Sequence, residues 1–370
     1  MTRWQEAAPG EREAADRSWQ VVRSAYEERI PIPRRRDWRP IVAVAVGLAL
    51  LAAAFSPPGN AVLGSLRDAV RGQDHLVSLP ARGNILVNAQ GGAWVVKQDG
   101  SKRFLGGYDN AAWSPHGLYL AAARENELVA LEPNGRVHWK LARERQVGGP
   151  QWSYEGFRIA YLSGPSLRVV NGDGTGDRLV TPSAGGSGLI ALAWRPGTHE
   201  LAYNNSRNQL VLLDVDRRRV LWRRPAAGLE QLLWSDDGRR LLVADGRPRI
   251  LDATGRTIAA FAKRRNILPA AFVRRSHSVA LTDAANGSST VSIYSGPRYD
   301  RRRIVFSGAG LFAGLAWSPD GRWLLVDWRS ADQWVFIRSA AVRRIDVRNI
   351  GNTFDSGPEH YATLAGWCCP

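Results

Sequence analysis

One pentapeptide constrains this chain more than anything else in it. Trp317-Ser318-Pro319-Asp320-Gly321 recurs in weaker form as Trp113-Ser114-Pro115-His116-Gly117, Trp152-Ser153-Tyr154-Glu155-Gly156, Trp194-Arg195-Pro196-Gly197 and Trp234-Ser235-Asp236-Asp237-Gly238. A degenerate anchor follows at Phe272 and a last one at Trp367. The anchors stand roughly 40 residues apart with room for four short strands between them, which is the sequence signature of a β-propeller.

Within the unit anchored at Trp113, a first strand ends on the Trp. A second covers Leu118 to Ala123, a third Glu127 to Leu131 and a fourth Arg136 to Leu141. Their apolar runs are those of sheets buried on both faces. The turn between third and fourth strands repeats as Asn134-Gly135, Asp173-Gly174, Asp216-Arg217 and Thr254-Gly255, residues that supply the positive φ of tight hairpins. Three strands precede Trp113 without a leading partner: Asn84 to Val87, Ala93 to Lys97 and Lys102 to Leu105. One strand, Tyr361 to Trp367, follows the sixth unit without successors. Three and one make a sheet, so the expected fold is all-β: a seven-bladed propeller whose C-terminal strand joins the N-terminal blade, removing an open edge.

Over residues 83–370 this W-S-P-D-G core, with its strands and Asp-Gly hairpin, resembles the TolB-like or WD40-like (PD40) β-propeller repeat. The match is strongest at Trp113, Trp152, Trp234 and Trp317. It is weak at Trp194, which lacks the Asp, and at Phe272, where Val273-Arg274-Arg275-Ser276 replaces the turn. The family includes periplasmic transport accessories, protein-interaction scaffolds and peptidase propellers, so the resemblance implies a fold and a binding platform without a reaction.

The N-terminal part has another character. Residues 1–40 are polar, with Ala15, Trp19, Val22, Tyr26 and Ile30 at helical spacing. This short amphipathic helix is either a solvated tail or a segment for a partner or membrane surface. Arg34, Arg35, Arg36 and Arg39 bracket Trp38 before the apolar run Ile41 to Phe55. At 1.5 Å per residue that run covers about 22 Å, less than the roughly 30 Å of a hydrocarbon core. The charge-free interval nevertheless continues to Leu66, Trp38 suits the interfacial belt and the arginines mark the cytoplasmic side. The expectation is a single transmembrane helix over 41–58, ended by Pro57-Pro58. It places a cytoplasmic arm over 1–40, a juxtamembrane linker over 59–82 and the propeller over 83–370 outside the cell membrane. A cleaved secretory signal and a buried helix are the alternatives.

The formal charge is +16, almost wholly from arginine, since Lys97, Lys102, Lys140 and Lys263 are the only lysines. Arginine in place of lysine reflects genome composition, and no nucleic-acid partner is expected. Arginines cluster where fourth strands begin, at Arg217 to Arg219, Arg301 to Arg303 and Arg343-Arg344. There they block pairing at an outer edge or form an anionic-ligand patch. Cys368 and Cys369, the only cysteines, read as small filler under the final turn or as a vicinal disulfide.

No H-E-x-x-H, Walker A or G-x-S-x-G motif occurs. Asn171, Asp173, Thr175 and Asp177 imitate a calcium loop without its closing Glu, and the six histidines lack ligand spacing. No cofactor or metal is called for. The longer connections, Thr181 to Leu189, Thr282 to Ser288, Asp327 to Gln333 and Gly351 to His360, fall on one face of the expected disc. Asp283, Arg329, Asp332, Asp355, Glu359 and His360 are therefore the candidate binding residues. The expected partners are a protein or cell-envelope ligand on this face, the lipid bilayer and a cytoplasmic regulator at the N-terminal arm. The alternative is a lactonase- or dehydrogenase-like propeller enzyme working on a small substrate at the central channel. Such an enzyme needs converging carboxylates or histidines on inner strands, where Glu230 is the one notable acid.

Overall fold

The computed structural model describes residues 78–184, 191–262, 269–338, 343–355 and 361–369, all within the unit Pro57–Pro370. They form seven four-stranded antiparallel sheets. Blades 1 to 6 run in chain order, from β4 (Asn110–Trp113) to β7 (Val137–Ala142), β8 (Val147–Trp152) to β11 (Arg178–Thr181), β12 (Leu192–Trp194) to β15 (Arg219–Pro225), β16 (Gln231–Trp234) to β19 (Thr257–Ala260), β20 (Ala270–Phe272) to β23 (Arg301–Ala309) and β24 (Gly314–Trp317) to β27 (Arg344–Arg348). Blade 7 has the order β28-β1-β2-β3, joining Thr363–Cys368 (β28) to Asn84–Ala89 (β1), Gly92–Val96 (β2) and Lys102–Gly106 (β3). The expected closure is present, with Ile85 opposite Trp367 and Asn84 opposite Cys368. The first strands β4, β8, β12, β16, β20, β24 and β28 each touch the next around the ring, so they line the centre.

Apolar side chains collect between blades instead of in one central core. Successive residues of a strand point to opposite faces, so Leu120 and Ala122 join the cluster shared with blade 7 while Ala121 and Ala123 join that shared with blade 2. Leu324 and Val326 face blade 5, and Leu325 faces blade 7. This explains why second and third strands are continuously apolar. The anchors fill the same seams. Trp152, Trp194, Trp234, Phe272, Trp317 and Trp367 each pack against the preceding blade, where a large ring buries much area on a flat sheet face.

The serine of the repeat does something its sequence does not announce. Ser318 is fully buried; its hydroxyl accepts the Trp323 N–H at 2.9 Å and donates to Asp320 Oδ1 at 2.6 Å, which in turn accepts the Arg322 N–H. Ser235 repeats the arrangement with Arg240, Asp237 and Arg239. Ser114 and Ser153 keep the amide bond alone, to Tyr119 and Arg158. The motif is thus a closed turn that satisfies buried donors. In the degenerate unit, Arg275 takes the left-handed conformation at φ 54° and the turn survives.

Two features bear on the outer edge. In six blades the third and fourth strands slip register by one residue, and the bulge lies on the outer strand, which it twists away from pairing. Arg219, Arg301 and Arg344 open β15, β23 and β27, where the edge-charge reading puts them.

The turns from first to second and from third to fourth strands share one end of the disc, the turn face; the remaining connections share the other, the loop face. The described chain arrives on the turn face, where the Leu79 N–H donates to Gln98 and Arg82 precedes β1. Among the described residues no helix is long and apolar enough to cross a membrane. The expected arm (1–40), transmembrane run (41–58) and most of the linker lie outside the described residues.

Candidate functional site

On the loop face, the connection after Trp323–Trp328 (β25) is a short 3-10 turn, Arg329–Ala331, that ends on Asp332 in the left-handed conformation. Asp332 Oδ1 accepts the Gly351 N–H at 2.7 Å, tying this connection to the helical turn Ile350–Thr353. The Arg329 guanidinium lies 5.9 Å from the centre of the Tyr361 ring, just before the closing strand. Asp355, exposed and at φ 53°, follows the same turn. The structure therefore brings Arg329 and Asp332 onto the seam between blades 6 and 7, with Asp355 beside it in the chain.

Asp283 departs from expectation. Residues 279–285 form β21 and residues 288–295 form β22, so most of the expected Thr282 to Ser288 loop is sheet with a hairpin at Asn286-Gly287. Asp283 belongs to that sheet, 3.7 Å from Arg302. Glu359 and His360 lie outside the described residues.

Beneath Arg329 sits a group that sequence reasoning missed. Asp327, expected to begin a loop, is the fifth residue of β25, fully buried and opposite Gly314. Burial dominates its surroundings and pushes its carboxyl up to about 7, against the Tyr361 hydroxyl, the Leu364 N–H and the Trp334 indole, which favour the ionised form. Neither oxygen makes a hydrogen bond of ordinary geometry. Desolvation and the adjacent Asp327 likewise push the Tyr361 hydroxyl up. The available signal was an acid closing the apolar run Trp323-Leu324-Leu325-Val326, which two-sided burial makes costly.

The central channel opens on the turn face as a cavity of about 1310 Å³. Its walls are inner-strand residues such as Ala112, Gly149, Pro150 and Gly366. Two of its amides are engaged: Asn88 Oδ1 accepts the Ala111 N–H and Asn110 Oδ1 the Gly149 N–H, each clamping one blade to the next. Among the described residues, Asp320 is the one carboxylate on the lining, and it is committed to Ser318 and Arg322. Desolvation of Asp320 is outweighed by these bonds, which hold its carboxyl below the usual value. Glu230 is exposed away from this lining. Among the described residues no group of three or more His, Cys, Asp or Glu side chains is placed to hold a metal. Asp177 of the calcium-like stretch accepts from Arg168, Arg143 and Tyr161.

Cys368 and Cys369 line the same cavity, joined as a vicinal disulfide. The filler reading is corrected in this respect: the sulfurs are half-buried and bonded, with Cys369 against the Pro115 carbonyl.

The fold and its two faces define the class, a seven-bladed β-propeller. A chain in the crystal structure of the mitotic checkpoint complex is similar at a TM-score of 0.57 and 16% identity, over 73% of this chain and 92% of that one. The Cps50 (Swd1) β-propeller domain of Myceliophteria thermophila is similar at a TM-score of 0.50 and 16% identity, over 67% of this chain and 95% of the domain. At such identity the likeness establishes fold. No protein-family model and no curated protein matches the sequence.

Proposed function

We propose that this chain is a membrane-tethered, extracytoplasmic propeller of the TolB-like (PD40) kind, binding a protein, peptide or cell-envelope ligand through its loop face. The observation that carries this reading is the arrival of the chain at Leu79 to Arg82 on the turn face. A tether reaching the propeller there leaves the opposite connections, with Arg329, Asp332 and Asp355, directed away from the attachment point. The apolar run Ile41 to Phe55 behind its arginine cluster supports the tether, and a rigid ring carrying variable loops supports binding. Residues 1–40 then couple binding to a cytoplasmic regulator. Among the described residues the one acid on the channel lining is already hydrogen-bonded, which gives the enzymatic alternative no particular support. The test is crosslinking of the full chain in its native cell, beside Arg329→Ala, Asp332→Ala and Asp355→Ala variants. A captured partner lost in the variants supports the proposal, and an interaction unchanged by all three overturns it.

A further inference from the structure

The turn face carries two features that the binding reading does not use. Exposed arginines stand at its turns in several blades: Arg218 and Arg219 in blade 3, Arg275 and Arg301 in blade 5, and Arg82 beside blade 7. Among the described residues none of these five makes an ion pair, whereas neighbours such as Arg158 and Arg274 are paired to Asp216 and Asp236. The same face presents large apolar side chains from the turns of blades 1 and 2, with Phe157 71%, Leu118 65% and Tyr154 47% exposed. Arg82, Tyr154 and Arg275 all border the mouth of the central cavity, which puts both features around one rim.

We infer that the turn face docks flat on an anionic phospholipid surface, its arginines meeting headgroup phosphates and Phe157, Leu118 and Tyr154 entering the interfacial layer. Free cations with exposed aromatic and aliphatic side chains are the pairing that holds proteins at a charged bilayer. Nucleic acid would need the cations without the apolar tips. The inference deepens the tether reading and rests on it for orientation, because it is the face on which the chain arrives that would meet the lipid. It also gives the outer arginines a role beyond blocking strand edges.

The test uses the full chain in lipid nanodiscs, with an environment-sensitive fluorophore on Phe157→Cys or, as control, on Leu311→Cys, which is exposed on the loop face. Discs contain phosphatidylcholine alone or with about one third phosphatidylglycerol. The expected result is a blue-shifted, brighter label at 157 in anionic discs only, reversed at about 0.5 M salt. It is lost in an Arg218→Glu, Arg275→Glu, Arg301→Glu variant that keeps its circular dichroism and melting temperature. Leu311→Cys stays unchanged throughout. No response at 157, an equal response in neutral discs, or a response at 311 overturns the inference, as does a label that answers a DNA oligonucleotide and not the discs. Retention in neutral discs after alkaline washing reads the tether separately. If that fails, the label is read with anionic vesicles added to the chain in solution, and the same outcomes decide.

Discussion

Ile85 and Trp367 face one another across the backbone ladder of blade 7, so the first strand beyond the connector and the last strand of the chain hold each other in register. Trp367 also packs edge-on to Phe336 at 5.5 Å, fastening blade 7 to blade 6. Closure is therefore both a ladder and an inter-blade seam.

Removing that strand should open the ring. Truncation after Pro358 deletes β28 and leaves the inner edge of Asn84–Ala89 unpaired; the expected outcome is loss of cooperative thermal unfolding, or a melting temperature lower by more than about 10 °C. Trp367→Ala, which keeps the ladder, should cost about 3–5 kcal/mol in a denaturant titration. A truncate that melts with the full chain contradicts the closure.

Ser318 tests the repeat. Ser318→Ala strands the buried Trp323 N–H and releases Asp320, and should destabilise by about 1–3 kcal/mol. The exposed Ser101, whose hydroxyl donates to Asp99, is the comparison, and Ser101→Ala should fall within about 0.5 kcal/mol of the parent. Equal effects would mean that the buried serine is not what holds the turn.

Asp327 should make stability depend on pH in an unusual direction. Its folded pKa, raised to about 7, exceeds the unfolded value of about 3.9, so between these the unfolded chain has lost a proton that the folded chain keeps. Stability contributed by this group falls as pH climbs from about 4 to about 7 and is level above. Asp327→Asn removes that slope: melting temperatures should match the parent near pH 4.5 and exceed it by several degrees at pH 8. A variant with the parental slope excludes Asp327 as its source.

How much of this was legible beforehand depends on what sets each feature. The repeat at Trp113, Trp152, Trp234 and Trp317 is a matter of spacing, so blade number and closure could be read from the strands left over at Asn84 and Tyr361. The first strand of blade 1 falls at Asn110–Trp113 as expected, because its boundaries are marked by the anchor. Others move by a residue or two, since an apolar run says where burial lies and not where a ladder ends. Bulges at the outer strands were invisible, being decided by pairing between strands. Asp283 and Asp327 fall by spacing in the longer connections, yet the sheets run past both, because a turn signal does not mark where a ladder ends, and at Asp327 burial wins over the charge. The roles of Arg329 and Asp332 needed coordinates, since Gly351 and Tyr361 reach them only through the fold.

The return of β28 to β1 also bears on biosynthesis. Asn84–Ala89 is made well before Thr363–Cys368, the neighbour that completes its sheet, and all six other sheets are encoded between the two. For most of translation its inner backbone edge stays available to any passing strand. Protection of that edge during synthesis therefore matters more to this topology than to one whose sheets are each made from contiguous sequence.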